Sequence, residues 1–257
     1  MKFAFDSSHW ALVLGGSSGF GLATVKRLAQ DGMNIAVVHR DRKGAMAAIE
    51  REFEPIRKLG VGFVAYNIDA LSPDGRKSVL DDLKERMGSA GRVRVLLHSI
   101  AFGNLKLLIG TRSPYGAARK ETLHLLANEL SISEERLESA MNAAFEQGAD
   151  ALHAVASPPN YDSDLLLDDE DFARTIHSMG TSLASWSQDV LARGFFAPSA
   201  RVVGLTSEGN AVAWRGYAAV AAAKVALESV ARAMALEFSP YGVRTFAATI
   251  SYPRSFK

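Results

Sequence analysis

The chain has 257 residues, 48% hydrophobic and 22% charged, the proportions of a globular protein and not of a disordered one. Lysine and arginine number 29 against 28 aspartate and glutamate, and the formal net charge of +1 leaves no bulk electrostatic footing for nucleic acid. Cysteine is absent, which excludes disulfides, thiolate metal ligands and cysteine nucleophiles; the six histidines are scattered without metal-ligand spacing, so no metal site is expected.

The first residues hold no apolar run long enough for a signal peptide. Residues 7–25 lack Asp, Glu, Lys and Arg, but Gly15-Gly16-Ser17-Ser18-Gly19 splits them, so no membrane helix is expected. The expected compartment is the cytoplasm, with neither membrane nor nucleic acid as a partner.

Residues 10–14 form a short apolar run that ends in the glycine-rich turn, and 22–29 follow with helical spacing. Asp31-Gly32 closes that helix, and 34–38 is a second apolar, β-branched run. The alternation continues with a helix over 45–59, a strand over 62–68, a helix over 73–87 and a strand over 93–100. After an insertion at about 104–167 come a helix over 172–193, a strand over 201–206, a helix over 217–238 and a sixth strand over 243–250. The insertion holds helix-like stretches at 120–130 and 133–147, then a Pro/Asp loop over 157–171. The fold class is therefore α/β: one Rossmann-type, doubly wound parallel sheet spanning 1–257 as a single domain, with ligands at the carboxyl ends of its strands.

Gly15-Gly16-Ser17-Ser18-Gly19-Phe20-Gly21 sets glycines in a G-x-x-x-G-x-G pattern between strand and helix. The first allows a tight turn, the second lets backbone approach a pyrophosphate, and the third lets helix pack closely on strand. No Gly-Lys-Ser/Thr follows, which disfavours a P-loop. Strand two ends in His39-Arg40-Asp41-Arg42. Arg40 can pair with a 2′-phosphate, which favours NADPH; Asp41 turned inward would select NADH instead.

Tyr217 and Lys224 stand seven residues apart on the predicted long helix, nearly two turns, so both project from one face. The small residues between them let a cofactor lie close, and an ammonium beside a phenol favours proton donation.

Those residues resemble the short-chain dehydrogenases/reductases, and within them the enoyl-acyl-carrier-protein reductases. Most of the superfamily has Tyr-x-x-x-Lys, which would need a tyrosine where this chain has Val220; Tyr217-x6-Lys224 is similar to the enoyl reductase pattern. His98-Ser99-Ile100-Ala101-Phe102 resembles that subfamily's His-Ser-Ile-Gly/Ala-Phe stretch. The likeness covers about residues 8–102 and 168–250.

The resemblance implies that the Gly15, Ser17, Ser18, Gly19, Phe20 and Gly21 turn holds the pyrophosphate and Arg40 the 2′-phosphate. It implies that Asn67 and Ile68 meet adenine and that Ser99, Ile100 and Ala101 line the nicotinamide ribose. Lys224 would bond the ribose hydroxyls and Tyr217 the oxygen of an enoyl thioester carried on acyl carrier protein or coenzyme A. The implied activity is NADPH-dependent reduction of the trans-2 double bond in fatty-acid synthesis, by a homotetramer.

Ser207, 17 residues before Lys224, falls where carbonyl reductases carry their serine, so 3-oxoacyl reduction is the alternative. Met179 stands at the superfamily's structural asparagine, and Asn67 at its usual acid. The family continues past strand six through a Pro-Gly turn, a covering loop and a seventh strand; the given sequence stops at Lys257, so a truncated C-terminus and an impaired NADP-binding protein are a further expectation. Asp162, Asp164, Asp168, Asp169, Glu170 and Asp171 read as a solvated acidic loop without a basic neighbour, and Arg112, Arg119 and Lys120 as surface charge. Trp186 and Trp214 read as core or interface residues.

Overall fold

In the computed structural model, which describes residues 5, 7–109, 114–146 and 166–250 (of 114–119, 145 and 146 the backbone only), six strands lie side by side in one parallel sheet. They are β1 (His9–Leu14), β2 (Asn34–His39), β3 (Phe63–Asn67), β4 (Arg92–His98), β5 (Phe196–Ser207) and β6 (Arg244–Ile250), in the order β3-β2-β1-β4-β5-β6. The inner strands β1 and β2 read as near-continuous apolar runs because helices bury both of their faces, whereas the edge strand β6 leaves Phe246 exposed. Leu12, Leu14, Val38, Leu96 and Val202 face one core with Leu80, Leu83, Leu183, Trp186 and Leu227. Ala11, Val13, Ile35, Val37 and Leu97 face the other with Val25, Phe53 and Ile56.

The first core packs helices α3 (Pro73–Met87), α7 (Ser182–Ala192) and α8 (Ala218–Glu237) on the sheet; the second packs α1 (Gly19–Gln30) and α2 (Met46–Arg57). The chain winds one way from β1 to β3, then crosses back to place β4 on the other side of β1. After that reversal the chain leaves β1 and β4 towards opposite faces of the sheet, and a crevice opens above the point where the two strand ends meet.

The insertion carries α4 (Pro114–Glu129) and α5 (Glu134–Glu146), which close a small core of Leu123, Ala127, Leu137 and Met141. Its root is a parallel bridge of Leu107 with Leu166, and the Leu167 amide donates to the Leu107 carbonyl at 2.8 Å.

Three expectations need correction. The helix foreseen over 172–193 is two helices, α6 (Asp169–Ile176) and α7, joined by a π-turn at His177–Thr181. Serine hydroxyls turn onto main-chain carbonyls there: Ser182 Oγ donates to Ser178 O at 3.0 Å, and Ser178 Oγ, whose proton goes to the Phe102 carbonyl, lies 3.1 Å from Thr175 O. Gly180 lets this stretch press on α8, since a Cβ would lie 2.7 Å from the Ala223 carbonyl. Strand five begins at Phe196, five residues earlier than foreseen.

The acidic run also has basic and structural partners. Asp168 caps α6 and Asp171 completes the capping box. The Asp171 carboxylate accepts from Lys106 Nζ at 2.6 Å and Asn104 Nδ2 at 2.8 Å, and Lys106 holds its pKa below the usual carboxylate range. Glu170 pairs with Arg174. Asp162, Asp164 and Arg112 lie outside the described residues, as does the side chain of Arg119; Lys120 is exposed. Among the described residues no helix is long and apolar enough to cross a membrane, and no group of acids and histidines could hold a metal ion.

Trp186 is fully buried, and its indole Nε1 donates to the Ala70 carbonyl at 2.8 Å, tying α7 to the segment after β3. Trp186→Phe leaves that carbonyl unpaired and is expected to cost about 1–3 kcal/mol in urea denaturation, with the fold retained.

Candidate active site

A cleft of about 630 Å³ lies at the carboxyl ends of the strands, within the range of small-molecule and cofactor sites. Its floor is the turn after β1. Gly15 has φ 82°, and a Cβ there would sit 2.5 Å from the Ser99 carbonyl. At Gly21 a Cβ would sit 2.0 Å from the Gly15 carbonyl, so α1 can start only against bare backbone. Gly21 itself lies behind the cleft wall, whereas Gly15, Ser17, Ser18, Gly19 and Phe20 line it.

The first turn of α1 carries no acidic residue, and its N-cap, Ser18, makes no side-chain capping bond. The amides and positive dipole end of α1 are thus left for a ligand anion, and these residues fit a pyrophosphate. A Cβ on Gly19 would meet only open space, so the chain is bare where a ligand would approach.

At the tip of β2 the two charged neighbours part. His39 is buried and its Nδ1 lies 2.8 Å from an Asp41 carboxylate oxygen, while the Asp41 amide donates to Asn67 Oδ1 at 2.9 Å. Asn67 Nδ2 in turn donates to the Asp41 carbonyl at 3.1 Å. The Arg40 guanidinium reaches over the cleft, 4.4 Å above the Phe102 ring and 3.4 Å from Asp69. Asn67 and Ile68 fall outside the cleft lining: Asn67 is occupied by Asp41, and Ile68 packs on the core. Asp69, Ala70 and Leu71 form that wall instead. Sequence reading missed them, although the acid just past a strand end at Asp69 was a usable signal.

Ser99, Ile100, Ala101 and Phe102 line the opposite wall. They are held from behind. His98 is fully buried with Nε2 2.8 Å from Ser182 Oγ, and Ser178 Oγ donates to the Phe102 carbonyl. Burial, then the nearby Lys224 charge, lowers the His98 pKa to about 3, so this ring is neutral at ordinary pH.

Tyr217 is the residue just before α8, and Lys224 sits two turns further along; both line the cleft. Tyr217 OH and Ser207 Oγ are 3.3 Å apart. Lys224 Nζ donates to the Leu205 carbonyl at 2.7 Å, and burial lowers its pKa to about 8. The Tyr217 ring seats on Gly209, where a Cβ would come within 2.2 Å of Cε1, and meets Trp214 edge-on at 5.1 Å between centroids. Trp214 is therefore a cleft-wall residue, while Trp186 is core. Val220 is buried beside Met179 and offers no hydroxyl; Met179 reaches the cleft where a polar asparagine would have stood.

Two family models match the two halves of the chain: one described as short chain dehydrogenase over residues 9–108, the other as enoyl-(acyl carrier protein) reductase over residues 132–251. The chain belongs to the short-chain dehydrogenase/reductase superfamily. This reductase-superfamily chain is 28% identical over 250 residues to an enoyl-(acyl-carrier-protein) reductase (NADH) of Streptomyces avermitilis, covering 93% of this chain and 58% of the relative. It is 28% identical over 93 residues to a (+)-neomenthol dehydrogenase of Capsicum annuum, covering 36% of this chain and 29% of the relative. The chain thus spans less than two thirds of the length of either curated relative.

Solved structures agree on the fold. A short-chain dehydrogenase/reductase mutant from Serratia marcescens superposes with a TM-score of 0.63 at 18% identity, covering 96% of this chain and 74% of that one. An NADPH-bound short chain oxidoreductase from Pseudomonas aeruginosa PAO1, with an atypical catalytic center, gives 0.62 at 20% identity over 95% and 71%. An NAD+-bound xylitol dehydrogenase gives 0.59 at 20% over 96% and 70%.

Lys224 carries a pH signature. Its folded pKa, about 8, lies below the ordinary 10.5, so between those values the unfolded chain binds more protons and stability rises with pH. The cost of the buried ammonium is fully present below pH 8. The stability of Lys224→Met relative to wild type, from urea denaturation, is expected to be greatest below pH 8 and to shrink as pH climbs towards 10.5.

Proposed function

We propose that the chain is an NADPH-dependent reductase of the trans-2 double bond of an enoyl thioester, carried on acyl carrier protein or coenzyme A. The carrying observation is that Tyr217 and Lys224, spaced as Tyr-x6-Lys, line one cleft with the glycine turn while Val220 is an inert core residue. The 250-residue likeness to an enoyl-(acyl-carrier-protein) reductase supports the same reading. The 1–257 unit acts as one catalytic domain, assembling as a homotetramer as the family resemblance implies.

When bound, the reduced nicotinamide supplies the hydride. The backbone turn Gly15–Phe20 and the α1 N-terminus hold the pyrophosphate, and Ser99, Ile100 and Ala101 align the nicotinamide end. Addition at C3 of the enoyl thioester leaves negative charge on its carbonyl oxygen. Tyr217 donates a hydrogen bond to that oxygen, an interaction that strengthens as the charge develops, and a proton taken up from solvent at C2 of the enolate completes the saturated thioester. Lys224, held by the Leu205 carbonyl, keeps positive charge beneath the site and takes the ribose hydroxyls. The apolar wall of Trp214, Met179 and Ile250 excludes water from the acyl end.

NADPH is the proposed dinucleotide although the Streptomyces relative is named for NADH. Arg40 overhangs the ribose end, whereas the Asp41 carboxylate is engaged by His39. A second reading, carbonyl reduction of a 3-oxoacyl thioester, is favoured by the 3.3 Å pairing of Ser207 and Tyr217, since two hydroxyls can meet on one ketone oxygen.

The test is dinucleotide oxidation with crotonyl and 3-oxoacyl thioesters side by side; turnover of the 3-oxoacyl substrate alone reverses the order of the two readings. Tyr217→Phe is expected to lower kcat with the enoyl substrate about 100- to 1,000-fold, while NADPH binding followed by nicotinamide fluorescence is unchanged. Arg40→Ala is expected to weaken NADPH binding about tenfold or more and leave NADH unaffected.

A further inference from the structure

Glu228 lies one turn beyond Lys224 on α8, outside the cleft lining. One of its carboxylate oxygens, Oε1, accepts from Thr206 Oγ1 at 2.6 Å and also from Asn210 Nδ2. Thr206 and Asn210 bracket the segment that matters most. Between them stand Ser207, whose hydroxyl pairs with Tyr217, and Gly209, whose bare backbone seats the Tyr217 ring. Trp214, which meets that ring edge-on, follows in the same loop. A single half-buried oxygen thus pins both ends of residues 206–210 to the helix that carries Lys224.

We propose that Glu228 is a positioning residue, which fixes the Ser207 and Tyr217 hydroxyls relative to each other by stapling the 206–210 segment to α8. This rests on the reading of those hydroxyls as the groups that face the substrate carbonyl. Glu228 touches neither substrate nor cofactor and acts only through the loop. A loop end released from its anchor drifts, and a misplacement on the ångström scale is enough to cost large factors in rate.

The carboxylate charge is not what the staple uses, because both donors converge on one oxygen that a glutamine also presents. Glu228→Gln is therefore the conservative rescue and Glu228→Ala the disruption, with Asn210→Ala releasing only the loop side and sparing buried Thr206. The readout independent of turnover is acrylamide quenching of tryptophan fluorescence. Trp10 and Trp186 are buried, so the accessible signal belongs to Trp214.

Glu228→Ala, or Asn210→Ala should the former not fold, is expected to raise that quenching and to lower kcat about tenfold or more, with NADPH affinity unchanged. Glu228→Gln is expected to match wild type in both. Quenching equal to wild type in both alanine variants overturns the proposal, as does a glutamine variant as impaired as the alanine one. A wild-type protein inactive on enoyl and 3-oxoacyl thioesters alike sinks the reading of the hydroxyls, and the quenching series still decides the staple.

Discussion

Backbone meets backbone at the mouth of the sheet, and the rest of the molecule is arranged round that contact. Gly15 presses on the Ser99 carbonyl and Gly21 on the Gly15 carbonyl, at separations that no side chain could enter. The turn after β1 and the segment after β4 are thereby locked together at the point where the strand order reverses. The cleft is what remains above them once the chains diverge. An alanine at either glycine would push α1 off the sheet and take the α1 amides away from any anion they hold.

A second layer supports this floor from below. His98, Ser182 and Ser178 form a buried polar chain that ends on the Phe102 carbonyl, so the wall after β4 is fixed by hydrogen bonds from the π-turn and the start of α7. The π-turn between those helices brings the serines inward and also places Met179 on the cleft. Position is therefore supplied by buried neutral groups, and charge enters the site from only a few side chains: Arg40, Asp41 and Asp69 at one end, Lys224 and Glu208 at the other.

Much of this was legible in the residues. The inner strands showed as apolar runs because both of their faces are covered, and the glycine turn was readable because its spacing has a steric cause. The Tyr217 and Lys224 pair was readable because a helix has a fixed period. What escaped reading came from contacts distant in sequence. The π-turn in 172–193 has a local part, the serines at 178 and 182, but no spacing marks it in advance, and its packing is set where Gly180 meets α8 at the Ala223 carbonyl. The acidic run at 168–171 looked solvated because its counter-charge, Lys106, stands over sixty residues away. Asn67 matched a position in a pattern, yet its amide is taken by the Asp41 backbone, and the wall falls to the residues just after it.

The bridge between Leu107 and Leu166 has a modular consequence. Among the described residues, the insertion leaves and rejoins the domain at neighbouring points, Leu107 and Leu166, which form a shared root for its helical hairpin. The hydrogen-bonded clamp of Lys106 and Asn104 on Asp171 lies on the domain side of that root. A change in the hairpin's length or sequence is therefore absorbed at the bridge and need not reach Ser99–Phe102. The sheet can host a variable outgrowth a few residues from its cleft without passing that variation inward.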